Sequence, residues 1–329
     1  MTKKFLRRKL SFLILAVILM SCAKAQENGD GATFRIVGYY SLTSAMEANF
    51  ETVPFDELTH INLYFLNPDS LGNFNTDLSA IIPFVKEAHR HNVKVLPSIG
   101  GGSPHPYYHS LLMDNKRAKL VNDLLQIALK YDFDGIDVDI EGGDISSKYE
   151  DFVVDLKKEL HQHGKLLTAA IAVYSQAAFT DKALEQFNFV NLMSYDHTGP
   201  WRPDNPGPHS TYDQAVEDLN FFATTRSIQK EKITLGVPFY GYSFGPTLQS
   251  PPGSLNYNDI VSQFPGAEST DSLLMPSGAT LHYNGIPTIK KKTLLAKEKG
   301  MGIMIWQISG DAGPGKSLLD AIYHEIHGG

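Results

Sequence analysis

The chain reads as a (β/α)8 barrel closed by its first and last strands. Two observations point there: eight apolar, strand-like runs recur along the mature chain, and amphipathic helical patterns separate several of them. A third sharpens it. One central run, Asp134-Gly135-Ile136-Asp137-Val138-Asp139-Ile140-Glu141, carries acids at every second residue, as if aimed into a shared interior or rim. A doubly wound sheet is the rival architecture, but it rarely needs eight such units.

The first strand covers 34–40, the second 59–65 and the third 93–99. Between the last two, 78–91 sets Ile81, Ile82, Phe84, Val85 and Ala88 at helical spacing, and 117–129 does the same with Ala118, Val121, Leu124, Leu125 and Ala128. The acid-bearing fourth strand ends at Gly142-Gly143, and a helix over 149–161 turns Phe152, Val153, Leu156 and Leu160 inward. Strands five to eight fall at 166–173, 189–194, 233–239 and 302–308, with helices at 289–299 and 317–327. From 241 to 286 the sequence is broken by Pro, Gly, Ser and Asn, with only short apolar pieces. It reads as a small insertion between strands seven and eight, part of the 33–329 barrel unit.

Residues 1–21 read as a lipoprotein signal peptide. Five basic residues precede a short apolar run, and Leu19-Met20-Ser21-Cys22 resembles the bacterial lipoprotein cleavage box. Cys22, the chain's single cysteine, would carry the lipid, and 22–32 is a small, polar tether. This predicts an exported protein without an internal disulfide, lipid-anchored to the bacterial cell envelope on the periplasmic side or the cell surface. Without the leader's five basic residues the balance is 24 basic to 36 acidic, net about −12, which argues against a nucleic-acid surface and fits an uncharged ligand.

In an extended segment Asp137, Asp139 and Glu141 share one face, about 6.7 Å apart in succession, while Ile136, Val138 and Ile140 face the other way. Burial of such a row pushes one or more of its members towards the protonated form. An exposed acidic edge strand would show the same alternation, but the flanking apolar runs favour a central parallel strand. His105 and His109 lack partners at ligand spacing, so no metal is expected, and Ser98-Ile99-Gly100-Gly101 lacks the lysine of a phosphate loop, so no cofactor is expected either.

The 134–141 segment matches at every fixed position the signature of family 18 glycoside hydrolases, the chitinases and endo-β-N-acetylglucosaminidases. Ser98-Ile99-Gly100-Gly101, Met193-Ser194-Tyr195-Asp196, Gly38-Tyr39-Tyr40, the 236–241 segment and Trp306 resemble further family elements in the same order. The resemblance implies roles. Glu141 would be the proton donor, Asp139 the acid that assists the substrate's N-acetyl group, and Asp137 a deeper partner sharing a proton or hydrogen bond with Asp139. Tyr195 would orient the acetamido oxygen, Trp306 would floor the sugar, Met193 would line the acetamido pocket and Asp196 would touch a sugar hydroxyl or the leaving side. Ser98 would bond Asp137, Gly100 and Gly101 would keep the floor open, and Trp201, Tyr39, Phe65 and Tyr240 are candidates for the cleft wall.

The implied reaction is retaining hydrolysis of β-1,4 bonds that follow N-acetylglucosamine in chitin or its oligomers, through an oxazolinium ion. Cleavage of the chitobiose core of N-glycans is the alternative within the enzyme class. A non-catalytic carbohydrate-binding surface protein is the alternative outside it. The expected partners are an N-acetylglucosamine-containing glycan and, through Cys22, a membrane; the chain is expected to act as a monomer.

Overall fold

The computed structural model describes residues 34–47, 50, 52–247, 253–299 and 302–328. The signal peptide, Cys22 and the tether lie outside the described residues. No helix among those described is long and apolar enough to cross a membrane.

Eight parallel strands close on themselves: β1 (Ile36–Ser41), β2 (His60–Tyr64), β3 (Lys94–Gly100), β4 (Gly135–Asp139), β5 (Leu166–Ala172), β6 (Phe189–Met193), β7 (Ile233–Pro238) and, after an insertion, β12 (Gly302–Trp306). β12 pairs with both β7 and β1, with Val37 opposite Met304, so the last strand seals the cylinder. Strand period two then divides the side chains. Outward residues such as Ile61, Val95, Ile136, Val138, Leu167, Val190, Leu235 and Ile303 join the main apolar core, which also takes in Phe84, Leu124, Phe152 and Ile289 from the surrounding helices.

The inward set is more polar than an ordinary barrel core. His60, Asn62, Ser98, Asp137, Thr168, Asn191 and Thr234 are all buried, alongside Val37, Tyr39, Ala170, Phe189 and Met304. Burial and the nearby charges of Lys94 and Arg35 hold the His60 imidazole down to about 3, so it is neutral inside the barrel.

Helices at Ile82–Arg90, Asp114–Lys130, Tyr149–Gln162, Ile286–Glu298 and Leu318–His327 occupy the sequence-predicted positions. Sequence reading had not identified several shorter helices, among them Asp181–Gln186 and Tyr212–Asn220. Both begin at a threonine cap, and Thr211 forms a full capping box with Gln214, a signature legible in the sequence. The acid strand is shorter than 134–141: it ends at Asp139, and Glu141 follows in extended backbone at the rim.

The insertion builds a four-stranded antiparallel sheet. Its strands are β8 (Tyr240–Phe244), β9 (Gly253–Asn256), β10 (Ser272–Leu274) and β11 (Thr280–His282), in the order β10-β11-β8-β9. β8 starts two residues after β7 ends, so this sheet is rooted at the C-terminal mouth of the barrel.

One buried lysine ties the insertion to the loop after β6; burial brings its pKa down to about 7, against the opposing charges of Asp271 and Asp218. Lys292 donates to the Ser210 carbonyl at 2.9 Å, Ser210 Oγ at 2.7 Å and Asn284 Oδ1 at 2.8 Å, three acceptors for the three protons of an ammonium. Ser210 Oγ in turn donates to the carbonyl of Ser194 at 2.6 Å, directly before Tyr195. Replacing Lys292 by methionine strands buried acceptors, so Lys292→Met is expected to destabilise the chain by on the order of 3 kcal/mol. Thermal denaturation should show a Tm several degrees lower, and an unchanged Tm would contradict this account of the knot.

Candidate active site

A cleft of about 1080 Å³ opens at the C-terminal ends of the strands. That end is where barrels of this kind carry their chemistry. Its floor and walls include Asp139, Glu141, Met193, Tyr195, Asp196, Tyr240 and Trp306, which arrive from β4, β6, β8 and β12 and their ends. Phe65, Gly100, Gly101 and Trp201 line it as well, whereas Asp137, Ser98 and Tyr39 lie beneath it in the barrel interior.

Asp137 is fully buried and surrounded by donors. Its Oδ2 accepts from Tyr39 Oη and Ser98 Oγ, each at 2.7 Å, and its Oδ1 from Thr168 Oγ1 at 2.5 Å and Asn191 Nδ2 at 3.4 Å. These donors come from β1, β3, β5 and β6. Burial pushes the carboxyl up and the four hydrogen bonds oppose that shift. Asn191 Oδ1 accepts from Thr234 at 2.6 Å, which extends the network to β7.

The expected hydrogen bond between Asp137 and Asp139 is not among those formed by the described residues. Neutral donors already fill both oxygens of Asp137. Asp139, 2 % exposed, instead keeps a buried Oδ1 with no hydrogen-bond partner. Burial raises its carboxyl well above the usual range, and the charges of Glu141 and Asp137 add to the effect. An acceptor at the base of a cleft, desolvated and unspent, is costly unless something else donates to it.

Glu141 stands above Asp139 at the rim. Burial raises its pKa; the Tyr174 hydroxyl, donating to Oε2 at 2.9 Å, pulls the other way, and the charge of Asp196 pushes it up again. Asp196 itself sits at φ 61°, and its Oδ1 accepts from Tyr240 Oη at 2.5 Å with His209 Nδ1 at 3.3 Å. Tyr195 is buried, and its only hydrogen-bonding contact among the described residues is a weak one to Met304 Sδ at 3.8 Å, which leaves the hydroxyl available at the cleft.

Aromatic faces build the floor. Trp306 packs against Tyr39, Tyr64 and Phe65, with ring centroids 5.4, 5.0 and 5.9 Å away, and the Phe65 ring lies nearly parallel to it. Phe65 therefore belongs to the cleft wall as well as to packing. Gly100 and Gly101 have φ of 100° and 103°, and a Cβ on Gly101 would fall 2.4 Å from the Phe65 ring, while one on Gly100 would meet the Asp139 carbonyl. Trp201, 57 % exposed, packs edge-on against Tyr242 at 5.6 Å.

Sequence reasoning missed Tyr174, Gln176, Asn67 and Tyr242, all of which line the cleft. Tyr242 had a signal, because it follows Tyr240 at the two-residue spacing of a strand face. Asn67 fixes the floor from the side: its amide donates to the Gly100 carbonyl at 2.8 Å and its Oδ1 accepts from Gly100 N–H at 2.6 Å. Asp134, outside the alternating set, fastens the start of the strand by accepting from Val95 N–H and bonding His89 Nε2, both at 2.8 Å.

A closed parallel barrel whose mouth combines buried, charge-coupled carboxylates with a tryptophan-floored groove is the site of a glycoside hydrolase. Residues 35–311 match the glycosyl hydrolases family 18, and the chain belongs to that family. It is an enzyme. Among solved structures, the GH18 chitinase ChiB from the chitin utilization locus of Flavobacterium johnsoniae is 33 % identical with a TM-score of 0.81, over 89 % of this chain and 94 % of that one. A chitinase from Bacteroides thetaiotaomicron is 29 % identical with a TM-score of 0.75, over 89 % and 96 %. A class V chitinase of Arabidopsis thaliana is 27 % identical over 79 % of this chain and 82 % of its own length. The match to an endochitinase of Manduca sexta, 27 % identical over 75 % of this chain, spans only half of that protein.

The raised carboxyls also set a pH dependence of stability. A group whose folded pKa lies above its unfolded value contributes stability at low pH and loses it as pH rises through the folded value. Asp139→Asn removes that liability. Its Tm at pH 8 should equal or exceed that of the unaltered chain, with the difference shrinking as pH falls towards about 4, where the unfolded aspartate also holds its proton. Thermal melts across this range check it, and a marked loss of Tm at pH 8 would count against the assignment of strain to Asp139.

Proposed function

We propose that the enzyme hydrolyses β-1,4 bonds following N-acetylglucosamine in chitin or chitooligosaccharides, with the substrate's own acetamido group as nucleophile. The observation that carries this reading is the unpaired, buried Oδ1 of Asp139 at the base of the cleft. An acetamido N–H supplies the missing donor.

In this reading the pyranose at the cleavage point lies over Trp306, whose indole face matches the apolar C–H face of the sugar. Glu141 gives its proton to the glycosidic oxygen while the C1–O bond breaks and the leaving sugar departs as an alcohol. The acetamido oxygen bonds to C1 from the opposite face, positioned by the Tyr195 hydroxyl, and the positive charge spreads over the oxazolinium ring. Asp139 accepts the acetamido N–H and opposes that charge, in a site dry enough to make the interaction strong. Glu141, now a carboxylate, takes a proton from water as that water opens the ring at C1, and the configuration is retained.

Asp137 holds the structure beneath Asp139 and contributes its negative field. Met193 borders the acetamido pocket, Asp196 and Tyr240 reach a sugar hydroxyl, and Trp201 covers a leaving-side sugar from the loop after β6. The solved relatives at 33 % and 29 % identity are named as chitinases, which supports chitin as the substrate class. The leader and the lipobox-like Cys22 support export and a lipid anchor for the same enzyme.

Glu141→Gln should bind chitooligosaccharide and fail to cleave it, and Asp139→Asn should lose two or more orders of magnitude in turnover, on the order of 3 kcal/mol of barrier. Mass spectrometry of products from chitin, chitooligosaccharides and high-mannose and complex N-glycans tests the substrate. Chitooligosaccharide fragments are expected. Cleavage confined to N-glycans would replace chitin with the chitobiose core as substrate, and near-normal turnover by Asp139→Asn would remove its assisting role.

A further inference from the structure

The turn after β5 brings a residue to the acid that the family signature does not contain. Tyr174 Oη donates to Glu141 Oε2 at 2.9 Å. The other oxygen, Oε1, forms no hydrogen bond among the described residues and lies beside Gly102, whose missing side chain leaves it room, since an added Cβ would already stand 3.4 Å away; both residues line the cleft. The tyrosine ring is 69 % exposed and forms no part of the apolar core.

Its turn is nevertheless fixed from behind. Arg226 donates to the carbonyls of Gln176 at 2.8 Å and Phe179 at 2.5 Å, and is itself paired with Asp181 at 2.8 Å. Ser175 Oγ closes the turn onto the Ala172 carbonyl at 3.1 Å. The phenol is thus presented to Glu141 by a braced segment whose side chain has no packing duty there.

We propose that Tyr174 is a positioning residue for Glu141: by occupying Oε2 as a donor it leaves Oε1 to carry the transferable proton, and it steadies the carboxylate that remains after transfer. The inference rests on Glu141 being the acid. A phenol holds its proton far more tightly than a carboxylic acid, and partial desolvation of the hydroxyl where it meets Glu141, together with the charges of Glu141, Asp139 and Asp196, raises Tyr174 further although most of the residue is exposed, so it stays a donor throughout the working range.

The consequence for the reaction follows from the balance of the step. The Oε1–H bond breaks, the proton moves to the glycosidic oxygen, that oxygen takes the electrons of the C1–O bond, and the acetamido oxygen supplies the new bond to C1. Negative charge appears on Glu141 as this happens. A hydrogen bond from a neutral donor to a group that is becoming charged strengthens along the way, so Tyr174 favours the transition state over the ground state. The same bond lowers the pKa of Glu141 from where burial alone would leave it, and keeps the carboxylate ready to act as base in the second step.

The other titratable groups at this cleft are Asp139 on β4, His105 after β3, Tyr195, Asp196, His197 and Arg202 at and after β6, and Tyr240 and Tyr242 on β8. All of them persist in a Tyr174→Phe chain, which also keeps the ring. The test measures kcat, KM and Tm for this variant on a chitooligosaccharide from about pH 4 to pH 9, beside the unaltered chain and Glu141→Gln.

The expected result is a fall in kcat of about tenfold with KM within about twofold, and an alkaline limb of kcat/KM moved up by about half a pH unit, at unchanged Tm. The limb moves up because loss of the donor makes Glu141 hold its proton to higher pH. An unmoved limb and unchanged kcat, with Glu141→Gln inactive, would overturn the Tyr174 proposal alone. So would a rise in KM at constant kcat, which would mean that the hydroxyl binds sugar instead. A Glu141→Gln chain that keeps the normal rate would overturn the acid assignment and this proposal with it.

Discussion

Everything at the mouth of this barrel depends on how Asp137 is accommodated inside it. A carboxylate transferred out of water into a barrel core costs several kcal/mol unless donors replace the lost hydration. Here four strands contribute one donor each: Tyr39, Ser98, Thr168 and Asn191. β3 and β5 pair directly with β4, whereas Tyr39 of β1 and Asn191 of β6 reach Asp137 from strands that do not pair with β4, so the full ligation of Asp137 draws on the curved interior of the closed barrel. It accounts for the polar interior, where Thr234 braces Asn191 and small side chains replace the branched aliphatics that usually fill such a core.

Satisfying Asp137 leaves Asp139 exposed to the consequences. One residue pair further up the same face, it receives the repulsion of Asp137 below and Glu141 above, without a donor of its own for Oδ1. The strain lies at the cleft, and in the proposed reaction a substrate group relieves it, the usual relation between stability and function at an active site. Around the row, the insertion sheet contributes Tyr240 and Tyr242 to one wall, and the Lys292 knot anchors the loop that carries Trp201 and His209. Side chains far apart in sequence are thereby held against one row of acids.

The barrel and the shared face of the acids were legible in local periodicity, whereas the roles of the individual site residues came from the family resemblance. The alternation in Ile136 to Glu141 specifies a face whatever surrounds it, and the strand runs and five of the helices carry clear period-two or 3.6 patterns. What escaped was fixed by contacts between distant segments. The helices at Asp181–Gln186 and Tyr212–Asn220 are short, and their amphipathic signal is weaker than their threonine caps. The four strands of the insertion are three to five residues long, paired through a sheet that no single segment announces. Tyr174 reaches Glu141 across 33 positions, and of the four donors to Asp137 only Ser98 is expected from the family resemblance; Thr168 and Asn191 could not be separated from core residues until register and closure placed them around the carboxylate, and Tyr39 is expected in the cleft wall instead.

The central claim is that the acid row exists to make a 2-acetamido group act as nucleophile. Partially deacetylated chitooligosaccharides test it most directly, because glucosamine at the cleavage point has no carbonyl oxygen to attack C1. Digesting them and sequencing the new reducing ends by mass spectrometry should give N-acetylglucosamine at every newly formed reducing end. A substantial fraction of new reducing ends bearing glucosamine would contradict the account.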